Sequence, residues 1–343
     1  MIEHLSNIFK RIFNNEETII FSVIIILSLI AFSLFIEVLT PFIISIIVAY
    51  LLVGLQKNIE MYNVSQPLST IIAFSVFIIV GAAMFTWLIP LLYVQLQSFV
   101  LDIPRLFNDF LNFVSTIPAA FPDLVNSDQI SVFFQAVSSE LSSVTQNLVK
   151  SSISGIQSTI TVLLYIILFP ILVYFFMFDR KNIIEGCLKI IPGNRAMLSQ
   201  VWSEMDIQLS NYVRGKSIEI MIVGFAAALI FSLFGLQYTA LLSVLVGFSV
   251  LIPFLGAFIA TIPVAIIGLL QFGLTFDFWM LIGAYILLQI LDGNVLVPIL
   301  FSDAVKLHPF FIILAVFVFG GIFGFWGVFF AIPIATFIKA VWN

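Results

Sequence analysis

Leu251-Ile252-Pro253-Phe254-Leu255-Gly256 interrupts a stretch, residues 240–270, that carries no charged side chain. As one α-helix this stretch would reach about 46 Å at 1.5 Å per residue, against a hydrocarbon core of about 30 Å. Divided at Pro253 and Gly256, each half of about 13 residues is too short to span. Two halves that enter and return as a helical hairpin fit the length. A single tilted or kinked span is the alternative. Residues 309–338 repeat the pattern, broken at 320–327 where Gly320, Gly321, Gly324 and Gly327 crowd together. Between the two lies one ordinary span at 278–300. Paired broken helices of this kind bring backbone dipoles to a site at the membrane midplane.

The bilayer as solvent follows from composition. Of 343 residues, 62% are hydrophobic and 9% charged, with a mean hydropathy of +1.21. A soluble domain has about 45–50% apolar and about 25% charged residues, so a water-soluble fold could not hide these side chains. A formal charge of −5 and no basic tract exclude nucleic acid as a partner. One cysteine and two histidines leave no disulfide, no cluster of metal ligands and no implied cofactor.

Working outward, spans are expected at 19–36, 42–55 and 68–93, with a turn at 37–41 and Trp87 and Tyr93 towards the end of the third. The first run leads to Glu37 and not to a small-residue cleavage site, so it reads as a retained span. Residues 95–155, with Pro104, Pro118 and Pro122, read as an amphipathic insert outside the hydrocarbon; Leu106, Phe107, Phe110, Leu111 and Val114 have helical spacing. A span at 156–178 follows, with Pro170 as a kink. Six of the 13 Lys and Arg residues then fall in 179–216, which places that loop in the cytoplasm. Within it Met197, Val201, Met205, Leu209 and Tyr212 share one helical face that runs into the next span at 218–234. Lys306 and Lys339 would also lie on the cytoplasmic side. The segments are therefore 1–94 (three transmembrane helices), 95–155 (insert), 156–178 (a span), 179–216 (cytoplasmic linker) and 217–343 (transport core). The fold class is an all-α polytopic membrane protein with about six full transmembrane helices and two broken or re-entrant C-terminal hairpins.

Polar groups inside such spans are costly, which makes them candidate sites. Asp292 leads. Flanked by Gln289 and Asn294, its carboxylate could bind a proton or sodium while Pro298 frees backbone carbonyls. Alternatively Asp292-Gly293 is a local break capped by its own side chain. Glu219 is either a second titrating site or the partner of Lys216 or Arg214. His308 is either a pH sensor, since imidazole titrates near neutrality, or a cap before Pro309. The four glycines are a hinge or hairpin tip, or, through Gly320 and Gly324, a small-residue helix contact. Tyr212, Arg214 and Gly215 couple the cytoplasmic helix to the core, or Arg214 is a plain anchor.

Tyr212-Val-Arg214-Gly215-Lys216, Leu251-Ile-Pro253-Phe-Leu-Gly256, Gln289-Ile-Leu-Asp292-Gly-Asn-Val-Leu-Val-Pro298, Leu307-His308-Pro309 and Gly320-Gly321-Ile-Phe-Gly324-Phe-Trp-Gly327, in this order and spacing, resemble the autoinducer-2 exporter-like family of bacterial permeases. The resemblance covers the C-terminal 130 or so residues. It implies a multi-pass protein of the bacterial inner membrane that moves a signal molecule or other small solute, or exchanges sodium for protons. It also implies a homo-oligomer, with a pentamer as one form. Lys216, Asp292 and Ser302 depart from the glutamine, glutamate and glycine common in the family.

Enzyme chemistry lacks its parts. Gly215-Lys216-Ser217 ends like a phosphate loop, but Ser210 occupies the first glycine position and no strand precedes it. No serine elbow or HExxH is present, so the expectation is a non-enzyme driven by a gradient. The reading from another class is a membrane scaffold that binds partners through 95–155 and transports nothing.

Overall fold

The computed structural model describes residues 16–115, 156–190, 196–253, 255–301 and 307–342. Twelve helices carry these residues: α1 Glu16–Glu60, α2 Gln66–Ala83, α3 Ile89–Ser115, α4 Ile156–Phe178, α5 Arg180–Ile190, α6 Ala196–Leu233, α7 Thr239–Ser249, α8 Leu255–Phe272, α9 Phe276–Leu291, α10 Val297–Phe301, α11 Pro309–Phe329 and α12 Ala331–Trp342. No strand occurs among the described residues. Six helical stretches among them are long and apolar enough to cross a membrane: Val38–Glu60, Gln66–Asn112, Met205–Leu233, Leu255–Phe272, Phe276–Phe301 and Pro309–Phe329. The apolar surface points outward. Leu233 is 85% exposed while Phe231, two residues earlier, is 0% exposed, as expected where lipid replaces water.

The first two expected spans form one helix. α1 runs through 37–41 without a turn and only bends at Phe35 (φ −115°, ψ 18°). Pro41 has no N–H for the Glu37 carbonyl, yet the helix continues through it; the Thr40 hydroxyl adds a bond to the Ile36 carbonyl, one residue earlier, at 2.7 Å. The short run at 42–55 thereby becomes part of a 23-residue stretch of spanning length, Val38–Glu60.

The third run also continues beyond its expected end. α2 passes through a wide π turn, Met84–Leu88, into α3, which carries Pro104 inside it and ends at Ser115. The amphipathic reading of the region after Gln95 holds for its first part. Leu106, Phe107, Phe110 and Leu111 are half-buried, and Asn108, Asp109 and Asn112 are exposed. Residues 116–155, including Pro118 and Pro122, lie outside the described residues, as do Ser302 and Lys306. The helix at Ile156–Phe178 has the predicted bounds, and the helix expected over Met197–Tyr212 does run unbroken into the apolar stretch that follows, as α6.

Both C-terminal broken stretches fold back as hairpins. In the first, α7 and α8 pack against each other across a turn that begins at 250–253, where Pro253 cannot continue α7 and Gly256 N–H donates to Ile252 C=O. At Gly256 a Cβ would sit 1.6 Å from the Ser249 carbonyl oxygen. The halves are unequal: α7 has 11 residues and α8 has 18, so one arm alone reaches the length of a span. The second hairpin turns at Gly324, whose φ of 59° is left-handed backbone that glycine adopts without penalty. Beyond it Gly327 comes back onto Phe319, leaving a Cβ only 1.8 Å from the Phe319 carbonyl oxygen. Gly324 is thus the turn itself and not one half of a small-residue helix contact; Gly320 faces Val328 of the returning arm.

The described chain packs as two units. One comprises Met1–Ile78, Tyr165–Lys216 and Phe301–Asn343; the other Ile79–Leu164 and Ser217–Leu300. The core of the first joins Ala49 and Val53 of α1 to Ala73 of α2 and Val173 and Met177 of α4. Asp206 of α6 accepts from the Tyr50 hydroxyl and, on both carboxylate oxygens, from Arg180 Nη2 at 2.9 Å and 3.0 Å. The core of the second gathers Phe231, Val246, Val264, Leu281 and Tyr285, with Phe99 and Leu106 of α3 packed against it.

Tyr238, just before α7, donates to Asp102 of α3 and ties that helix to the first hairpin. Burial, then the hydrogen bond to Asp102 and its negative charge, push the phenol up to about 12. A folded-state value above the ordinary 10 means the folded protein holds the proton longer. The resulting stability is complete below pH 10 and is lost as pH rises from there through about 12. Thermal unfolding in detergent should therefore show a steeper alkaline loss for wild type than for Tyr238→Phe. Identical slopes would remove this link from the account of stability.

Candidate transport site

α9 is apolar for most of its length, and its hydrogen-bond ladder shifts at Asp292. Val297 N–H donates to the Asp292 carbonyl, five residues back, closing a π turn at Asp292–Leu296. The local sequence explains the shift. Pro298 has no N–H for the Asn294 carbonyl, and Gly293, with open space around it, lets the backbone widen. Asp292 is half-buried in this turn, while Gly293 and Asn294 are exposed. Asn294 Nδ2 donates to the Ile290 carbonyl at 2.9 Å. One of its two amide hydrogens therefore serves the widened backbone.

Gln289 belongs to a different arrangement. Thr261 of α8 donates to Ala257 C=O at 2.7 Å, so its oxygen can accept from the Tyr285 hydroxyl at 3.3 Å. The Tyr285 oxygen in turn accepts from Gln289 Nε2 at 2.9 Å. Every hydroxyl hydrogen in this chain has a direction. The Gln289 side-chain oxygen remains, buried and without a hydrogen-bond partner among the described residues. A buried acceptor left this way costs about 1–3 kcal/mol, which a cation or a donor group on a ligand would recover. Sequence reading missed Thr261 and Tyr285. The i, i+4 spacing of Tyr285 and Gln289 on an apolar helix was a usable signal for one of them; the cross-helix contact to Thr261 had none.

Glu219 on α6 is 1% exposed within the second unit. On the first unit, Tyr212-Val-Arg214-Gly215-Lys216 forms a dense packing node. Tyr212 donates to the Phe329 carbonyl at 2.8 Å, and the Phe301 ring covers Gly215 so closely that a Cβ would lie 2.6 Å from it. Lys216, buried in the same place, holds its ammonium 5.2 Å above the centre of that ring. Cation and ring attract through the ring's negative face. The Arg214 guanidinium packs against Gly54 of α1. Tyr212→Phe removes one buried hydrogen bond and leaves a carbonyl unsatisfied; it should lower stability by about 1–2 kcal/mol, read as a fall in thermal midpoint in detergent. An unchanged midpoint would contradict a tethering role. His308 caps α11: Phe310 N–H donates to its Nδ1 at 3.3 Å, and Pro309 occupies the first helical position.

The sequence profile described as AI-2E family transporter matches residues 19–343, from the first span through both hairpins. The chain belongs to the AI-2E transporter family. It is a multi-pass membrane protein of a transporter family. Among its relatives, the Escherichia coli (strain K12) protein named "Putative permease PerM" is 40% identical over 341 residues, covering 99% of this chain and 97% of that protein. The Bacillus subtilis (strain 168) protein named "Putative transport protein YueF" is 26% identical over 220 residues, covering 63% of this chain and 59% of that one. A Thermotoga maritima "Putative transport protein" is 29% identical over 170 residues, 49% of each chain. Membership of the AI-2E family thus extends well beyond the C-terminal motifs through which the resemblance first enters.

Proposed function

We propose that the chain is a secondary transporter of the bacterial inner membrane that exports a small solute, such as a signalling molecule, coupled to an ion gradient at Gln289, Asp292 and the π turn that carries Asp292. The observation that supports this reading most is the unpartnered Gln289 oxygen, held by Tyr285 and Thr261, three residues before a carboxylate in an apolar span. Gln289 and Asp292 offer oxygen ligands only, which suit a proton or a hard cation such as sodium. The first hairpin, with Pro253 and Gly256 at its turn, would supply a part that re-enters the membrane within the same unit as the site.

The same oxygen-only site favours a second reading, sodium/proton antiport with no organic cargo. Proteoliposomes with a pH dye inside separate the two. Sodium added alone should move protons if the protein is an antiporter. Proton movement that requires a candidate solute supports export. No movement under either condition, from folded and assembled protein, would overturn gradient-coupled transport.

A further inference from the structure

We propose that the first unit carries a binding site for one anionic phospholipid between the arms of the second hairpin. A cavity of about 680 Å³ lies there, walled by Leu314 and Val318 of α11 and Ala335 and Ile338 of α12 among other apolar side chains. That volume is within the range of about 300–1,000 Å³ common to ligand pockets. Among the described residues, the polar side chains lining it are His308 and Lys339. His308 caps the beginning of α11, and Lys339 lies in the last turn of α12. Because the chain reverses at Gly324, these two ends of the arms meet, and both side chains are exposed there.

The cavity is therefore amphiphilic in one direction, with nitrogen donors at the open end of the hairpin and only apolar walls towards its turn. A lipid matches this polarity when its acyl chain lies along the arms and its phosphate meets the ammonium and the imidazole. His308 Nδ1 accepts from Phe310 N–H, which directs the ring's own N–H, on Nε2, away from the helix and available to a phosphate oxygen. An ammonium donates three hydrogens, so Lys339 can hold a phosphate alongside another contact. Basic groups between transmembrane helices recognise acidic headgroups in this way. The zwitterionic headgroup adds a cation of its own beside Lys339 and fits less well.

The test uses the full chain in nanodiscs containing phosphatidylcholine with a minor fraction of a diazirine-tagged lipid, tagged on the acyl chain. Tagged phosphatidylglycerol should label peptides from 309–319 and 331–339 at least about threefold more than tagged phosphatidylcholine. In the double variant His308→Asn, Lys339→Gln that preference should vanish. Asparagine keeps a helix cap, so the change isolates the imidazole. Ala335→Leu, which fills the cavity from its wall, should lower labelling by both probes. Equal labelling of wild type by the two lipids would overturn the proposal. So would full preference in the double variant, or cross-links there to a second copy of the chain in place of lipid.

Discussion

Asp292→Asn should leave a folded, assembled protein whose gradient-coupled flux is lost. Asparagine has nearly the same shape, and the side chain it replaces is only half-buried, so stability should change by less than about 1 kcal/mol. The π turn survives because Val297 N–H donates to the backbone carbonyl at 292, which the substitution does not touch. What disappears is the charge. An amide cannot give up and regain a proton, so proton coupling through this residue would end altogether. A bound cation would lose a charge-assisted contact worth about 1.5–3 kcal/mol, or roughly ten- to a hundredfold in affinity. Wild type and variant are compared in the same proteoliposome assay, with size-exclusion profiles showing equal assembly. Wild-type flux from the variant would remove Asp292 from the mechanism.

The placement of charged and polar residues was legible because a bilayer penalises them so heavily. Asp292 and Gln289 stand out within 276–301, and a helix break near Pro298 follows from its missing N–H. The partner that fixes Gln289 was not legible. Thr261 lies on another helix, and nothing in the local pattern states which face of α8 meets α9. For Asn294 the sequence places a polar neighbour beside Asp292, and the structure adds that one of its amide hydrogens serves the backbone of its own helix.

Lengths of helices were legible to differing degrees. The helix at 156–178 and the unbroken run of α6 through 205–233 follow from apolar content alone. Proline misled at both Pro41 and Pro104, where it was read as punctuation. A proline removes one ladder hydrogen bond, and in an apolar helix that single loss need not end the helix, as at Pro41 and Pro104. At Pro253 the neighbouring Gly256 lets the returning helix touch the departing one, and there the chain does reverse. The second reversal, at Gly324, has no proline beside it, so what the two hairpins share is a glycine that lets the returning arm touch the departing one.

That contact makes the glycines at the two reversals the most sensitive positions in the chain. Gly256→Ala and Gly327→Ala should each prevent recovery of monodisperse protein. The new methyl group would stand 1.6 Å from the Ser249 carbonyl oxygen in one case and 1.8 Å from the Phe319 carbonyl oxygen in the other. A crowded side chain can rotate away, which holds the cost of overpacking to about 1–3 kcal/mol. A backbone carbonyl at a hairpin cannot, so the arms themselves must separate, and the loss becomes comparable with a total stability of about 5–15 kcal/mol. Gly321→Ala is the control in the same hairpin. A Cβ there meets open space, and alanine favours helix over glycine by about 1 kcal/mol, so this variant should match or exceed wild type in thermal midpoint. Size-exclusion chromatography after stepwise heating reads all three. If Gly327→Ala behaved like Gly321→Ala, the close return of the second arm onto Phe319 would not be a feature of the folded protein, and the cavity between the arms would lose its walls with it.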